Sequence, residues 1–277
     1  MTSSVGAATA TVGAVAALRR YPVKSMLGED VTELVLVEGG VLGDRALALL
    51  DVETGRVATA KHPRLWRGLL RFTAVLDGTT VRIAFPDGSV IGSDDAGVDR
   101  ALSDAIGRPV HLSGARPDGA IVERPAPEDV LDHGVDADVP FVTLEIAQGT
   151  TGTTFVDYAP VHLITTATLE HIGTEAVRYR PNIVVETAEV GPYAENRWVG
   201  REITVGQVRL RGSLPTPRCA VPTLEHGGLP RAAHSVRIPM AENRVDVPGF
   251  GVLPCAGLYA EVLVAGTVRA GDRVTLL

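Results

Sequence analysis

The 277-residue sequence predicts a mainly β fold of α+β class: two packed β-barrel-like units with few short helices. Thirty Gly and eighteen Pro are spread along the chain rather than clustered, as expected of many short strands joined by turns. Hydrophobic residues make up 45% and charged residues 21%, enough apolar material to core one large domain or two modest ones. Short apolar runs recur between turn signals, and only two stretches have helical character.

Taken in order, Val12–Tyr21 and Val31–Val37 read as strands, with Leu27, Gly28, Glu29 and Asp30 as the turn between them. Ala46–Asp51 is a short apolar run closed by the turn Glu53-Thr54-Gly55. Leu69–Leu76 and Val81–Phe85 flank Asp77-Gly78, a hairpin signal because this dipeptide tolerates the positive φ of a tight turn. Ser93 is placed to cap a helix running to Ile106, with Val98, Leu102, Ala105 and Ile106 on one face. Val110–Leu112 then closes the first unit. Arg116–Pro140, dense in Pro, Asp and Gly, reads as a linker or long surface loop. Beyond it, Phe141–Ile146, His162–Ile164, Ile183–Glu186, Ile203–Val205, Val208–Arg211 and Ala260–Val264 read as strands. Thr165–Ile172 reads as a short helix with a Thr cap.

Composition removes several function classes. A net charge of −7 argues against a nucleic-acid partner, since non-specific binders present a broad basic surface. Met1–Leu18 is built from Ala, Gly, Val, Ser and Thr without a basic start, too weakly hydrophobic to span a bilayer. No membrane partner and a cytoplasmic location are therefore expected. Two cysteines, Cys219 and Cys255, cannot ligate an iron–sulfur cluster or an all-cysteine zinc. The sequence contains no phosphate-binding loop, zinc-protease helix, nucleophile elbow or dinucleotide fingerprint.

Cys219 stands in a stiff segment, Pro215-Thr216-Pro217-Arg218-Cys219, with Pro222 just beyond. Two local readings stand side by side: a buried packing cysteine, or a thiolate favoured by Arg218 and suited to soft metals or electrophiles. Cys255, in Leu253-Pro254-Cys255-Ala256, has no adjacent charge and reads as structural. Lys24 and Ser25 end a strand; Arg45 follows a turn; Arg178, Arg180 and Asn182 precede another strand. Singly, each such cation is more often a solvated charge. Together with Arg218 they could cradle a phosphate. Of 26 basic residues only Lys24 and Lys61 are lysine, which draws attention to both.

Tyr21–Ser25, Gly39–Arg45, Asp51–Gly55 and Ala58–Pro63 resemble the N-terminal β-barrel module of MOSC proteins. Asp157–Thr166, Arg180–Val185, Glu195–Trp198, Pro217-Arg218-Cys219, Gly249–Gly251 and Val268–Asp272 resemble the MOSC domain itself. The likeness keeps the family's order over nearly the whole chain and implies an N-terminal domain over 11–125 and a MOSC domain over 126–277.

What the resemblance implies is molybdenum-cofactor binding, with Cys219 as both metal ligand and catalytic residue. By the same likeness, Lys24, Ser25, Arg45, Thr165, Thr166, Arg180, Asn182 and Arg218 would contact the pterin and its phosphate. The implied activity is reduction of N-hydroxylated or N-oxygenated small molecules, with electrons from a separate flavin or iron–sulfur reductase. Two alternatives remain open: a sulfur carrier using a Cys219 persulfide with no cofactor bound, and a cofactor-binding module without turnover. Pro217 and Lys61 depart from the family pattern, where a small polar residue or Cys and an Arg are common.

Overall fold

The computed structural model describes residues 10–187 and 190–277. The opening residues 1–9, part of the stretch expected not to enter a bilayer, lie outside them. Among the described residues no helix is long and apolar enough to cross a membrane.

Alternating burial sets the strands. In Glu33–Val37, Leu34 and Leu36 are buried while Glu33, Val35 and Val37 face solvent, the period of two that directs one face to a core. Seven strands close a barrel: Val161–Thr165, Ile183–Glu186, Ala10–Arg20, Arg273–Leu276, Glu202–Val205, Val208–Pro217 and Gly251–Val264, which pairs back onto the first. Only Val161–Thr165 and Ile183–Glu186 run parallel, because helices Thr166–Ile172 and Ala176–Tyr179 carry the chain back between them. Val15, Leu163, Ile203, Leu210, Leu258 and Val274 fill the barrel, with Leu34 and Leu36 packed on them. Burying each large aliphatic side chain is worth about 1.5–3 kcal/mol. Closure gives each of these seven strands a partner on both edges.

The chain leaves the barrel after Arg20 and builds a second core from Val23, Met26, Leu49, Trp66, Phe72 and Ile83. Thr73–Asp77, Thr80–Ala84 and Val90–Gly92 form one sheet, and Ala48–Asp51 pairs with Val110–Ser113. Helix Val98–Ile106 buries Val98 and Leu102. Two β-rich units with few short helices thus pack together, as the composition predicts.

Several local expectations differ from what forms. Arg116–Pro140 is not a loop: Ile121–Pro125 pairs with Phe141–Glu145, and helix Pro127–His133 lies between them. Pro127 sits in the first turn, with Glu128 and Asp129 beside it. The same residues that suggest a loop therefore also suit a helix start. Ser93 does not cap a helix, since its hydroxyl accepts from Val81 N at 3.1 Å and the helix begins at Val98. Ala105 is exposed rather than part of the buried face. The first turn falls at Lys24–Met26, while Glu29 joins a strand and its carboxylate pairs with Arg20 at 2.8 Å. Leu69 and Leu70 lie in a short 3-10 helix, so that strand starts at Thr73.

Candidate functional site

An open cavity of about 1220 Å³, its solvent-filled mouth included, lies where the second unit meets the barrel. Lys24, Ser25, Arg45 and Lys61 reach it from the second unit, and Arg180, Asn182, Arg218 and Cys219 from the barrel side. Hairpin Ile121–Glu145 adds an apolar wall through Val122 and Leu144.

Backbone strain concentrates here. Among the described residues five non-glycine residues have positive φ, and three of them line the cavity: Ser25 at 64°, Arg45 at 45° and Arg180 at 57°. Each costs on the order of 1 kcal/mol or more and persists only where its surroundings hold it. Ser25 Oγ accepts from Ala60 N at 3.1 Å. Arg45 N donates to Tyr21 O at 2.7 Å, and its Nη2 donates to Arg180 O at 2.9 Å. Arg180 Nη1 donates to Met26 O at 2.7 Å. The buried Tyr21 ring packs against both the Arg45 and Arg180 guanidiniums, 4.5 and 4.4 Å from its centroid, which offsets part of their repulsion.

This wall is crowded with cations. Burial, and then Arg45 nearby, pulls Arg180 down to about 10. Burial opposes the charge on Arg45, but Asp44 pairs with it and raises it overall. Burial pulls Lys24 down to about 8, with Lys61 adding to the shift and Asp157 opposing it. Burial works against the Asp157 carboxylate too, yet Lys24 and Lys61 hold it well below the usual range. Arg180 Nη2 is buried and has no hydrogen-bond partner among the described residues, a donor left for an oxyanion.

Cys219 lies two residues beyond the barrel strand Val208–Pro217, in a segment held down where Arg218 N donates to Pro254 O at 2.8 Å. It is a free thiol, half-buried against Ala60, Leu70 and Val221. Among the described residues no three His, Cys, Asp or Glu side chains converge as a metal site. A metal bound at Cys219 would therefore take most of its other ligands from outside these side chains.

The family model described as the MOSC N-terminal beta barrel domain matches residues 12–120, and that described as the MOSC domain matches 150–275. The chain belongs to the MOSC family. Mitochondrial amidoxime-reducing component 1 of Mus musculus is 26% identical over 297 aligned residues, covering 96% of this chain and 83% of its own. The Homo sapiens protein of that name is 25% identical over 296, with the same coverage. Among solved structures, the YuaD protein from Bacillus subtilis aligns over 97% of both chains at 11% identity with a TM-score of 0.44, too weak a likeness to add to the assignment.

In this MOSC protein the nine residues singled out in the sequence do not all meet. Thr165 and Thr166 do not line the cavity. Thr165 is fully buried, accepts from Thr168 N as the helix cap, and donates to Glu195 Oε2 at 3.0 Å. Thr166 Oγ1 accepts from Thr187 N at 3.4 Å. Arg218 lines the cavity, but its donors are committed: Nε to Ala256 O at 2.8 Å, Nη1 to Tyr179 O at 3.2 Å, Nη2 to His162 Nε2 at 2.7 Å. It braces the Cys219 segment more than it offers hydrogen bonds to a ligand. Asn182 likewise spends Oδ1 on His162 N at 3.1 Å.

Sequence reasoning missed Asp157, His162, Arg124 and Tyr259 as lining residues, and left Lys61 outside the site despite its rarity. Burial, followed by Arg218, keeps the His162 ring neutral well below its ordinary value, so it accepts from Arg218. Gly257, at φ 88°, makes room for this pair: a Cβ there would stand 2.4 Å from His162 Nε2 and 2.7 Å from Leu163 O.

Proposed function

We propose that the cavity holds a molybdenum–pterin cofactor with Cys219 as its protein ligand, and that the chain reduces N-oxygenated small molecules. The observation that carries this reading is a half-buried free thiol on a strained cationic wall in which a buried Arg180 nitrogen has no partner among the described residues. Lys24, Arg45, Arg180 and Lys61 would hold the phosphate, with Ser25 beside them. Such a group, when bound, supplies two-electron reduction at nitrogen with removal of the oxygen. The chain's own residues position and enclose. His162 and Arg218 stiffen the segment bearing Cys219, Asn182 joins Arg19 O to His162 N, and the hairpin Ile121–Glu145 shields one side from water. The relatives named amidoxime-reducing components support the substrate class. With two cysteines and no dinucleotide fingerprint, electrons would come from a separate flavin or iron–sulfur reductase.

Metal analysis of the purified protein tests this directly. Near-stoichiometric molybdenum with pterin is expected, together with amidoxime reduction by an artificial one-electron donor but no oxidation of NADH by the chain alone. The half-exposed free Cys219 also suits a sulfur carrier, and metal-free protein carrying labile sulfur on Cys219 would favour that reading. Bound molybdenum without turnover on any N-oxygenated compound would leave a binding module.

A further inference from the structure

Asp157 stands where a ligand oxyanion belongs. Its Oδ1 lies between two ammonium groups, 2.5 Å from Lys24 Nζ and 2.9 Å from Lys61 Nζ. These are the chain's two lysines. Lys24 is buried and also donates to Phe155 O at 2.8 Å, whereas the Asp157 side chain keeps 36% of its surface open on the cavity it lines. One carboxylate oxygen held by two ammoniums is the arrangement a phosphate or sulfate oxygen would adopt there. Among the described residues the carboxylate has no other hydrogen-bond partner. Asp157 also lies in the irregular stretch between strands Phe141–Glu145 and Val161–Thr165, so its side chain can rotate away without breaking a ladder.

We propose that Asp157 is a built-in counter-anion: it offsets one of the two charges of Lys24 and Lys61 in the ligand-free chain and yields its place to an incoming phosphate-class dianion. The inference rests on the cavity being an anion site. It explains how Lys24 and Lys61 fold close together before any ligand arrives, since unbalanced like charges repel, Arg45 being already paired with Asp44. It also gives the cradle a charge preference. A monoanion replaces one negative charge by one and gains little, while a dianion gains the difference, so chloride and simple carboxylates are rejected in favour of a phosphate monoester.

The test uses cofactor-free protein and sulfate at constant ionic strength, near neutral pH and below the value of about 8 that Lys24 reaches. Wild type, Asp157→Asn, Asp157→Ser and Arg45→Ala are compared by calorimetric titration and thermal melting. Both Asp157 variants are expected to bind sulfate roughly tenfold tighter than wild type, and to melt at a lower temperature without it. Their preference for sulfate over chloride should shrink. On the wild-type chain, the Asp157 carboxyl resonance in carbon NMR should move as sulfate is added, a readout independent of whether the variants fold. Binding equal to or weaker than wild type in the Asp157 variants, with Arg45→Ala still impaired, overturns the displacement while leaving the anion site intact. No sulfate binding by any of the proteins removes the anion site itself, and the displacement with it.

Discussion

At the scale of single residues, two cysteines sort by environment. Cys219 is half-exposed on the cavity, whereas Cys255 is buried with Leu214 and Val247 and burial pushes its thiol up to about 12. Cys219→Ser should therefore abolish N-hydroxyl reduction with folding retained, because an alkoxide matches molybdenum poorly. Cys255→Ser should keep turnover near wild type and lose about 1 kcal/mol of stability, from a hydroxyl placed among apolar atoms. Melting curves and turnover with an artificial donor separate the two; full activity of a loaded Cys219→Ser protein would sink the ligand assignment. Arg45→Lys keeps a charge but loses the fork that reaches Arg180 O, so its molybdenum-to-protein ratio should fall, while exposed Arg100→Lys should match wild type. Lys24 gives the pH dependence. Its folded value of about 8 lies below the ordinary 10.5, so its charge is present at neutral pH and lost as pH rises through about 8. Sulfate keeps its own charge across that range, and its binding should weaken there; an unchanged affinity above pH 8 would show that Lys24 does not hold the anion.

At the scale of elements, the hairpin Ile121–Glu145 shows what composition hides. Its Pro, Asp and Gly content resembles a loop, yet Val122 and Leu144 wall the cavity. Glu123 fixes it to the second unit through His62 Nδ1 at 2.6 Å and a contact with Arg56. The His62 and Glu123 side chains are 5% and 12% exposed, so removing one partner leaves the other poorly solvated. Glu123→Ala should cost about 1–3 kcal/mol and speed hydrogen exchange at Val122 and Arg124 before any global change. Protection identical to wild type would mean the hairpin is held by its apolar wall alone. Short apolar runs bounded by turn residues, such as Ile183–Glu186, were legible in advance. Strand ends were not: Val208–Arg211 extends to Pro217 and Ala260–Val264 begins at Gly251, because pairing between those two strands carries Pro and Gly positions that propensity alone rejects.

At the scale of the whole molecule, the first strand completes the barrel that the last half of the chain begins. Ala10–Arg20 lies between Ile183–Glu186 and Arg273–Leu276. A fragment of residues 126–277 would expose both of those edges and part of the barrel core around Val15 and Leu18. It should aggregate or remain unfolded, while the same fragment co-expressed with residues 10–125 should be soluble. A soluble monomer of 126–277 with native-like near-ultraviolet dichroism would overturn this.

By itself the sequence determined the fold class, the thiol in its proline-stiffened segment, and most of the basic residues around it, because these rest on local composition, periodicity and motif order. Only the tertiary structure decided that Asp157 bridges Lys24 and Lys61, that Arg218 and Asn182 are spent on internal support, and that Thr165 serves Glu195 instead of the cavity. Those outcomes depend on hydrogen bonds between residues far apart in the chain, such as Lys24 to Asp157 or Arg218 to His162. A donor's partner is set by which atoms folding brings within about 3 Å, and local sequence carries no record of that distance.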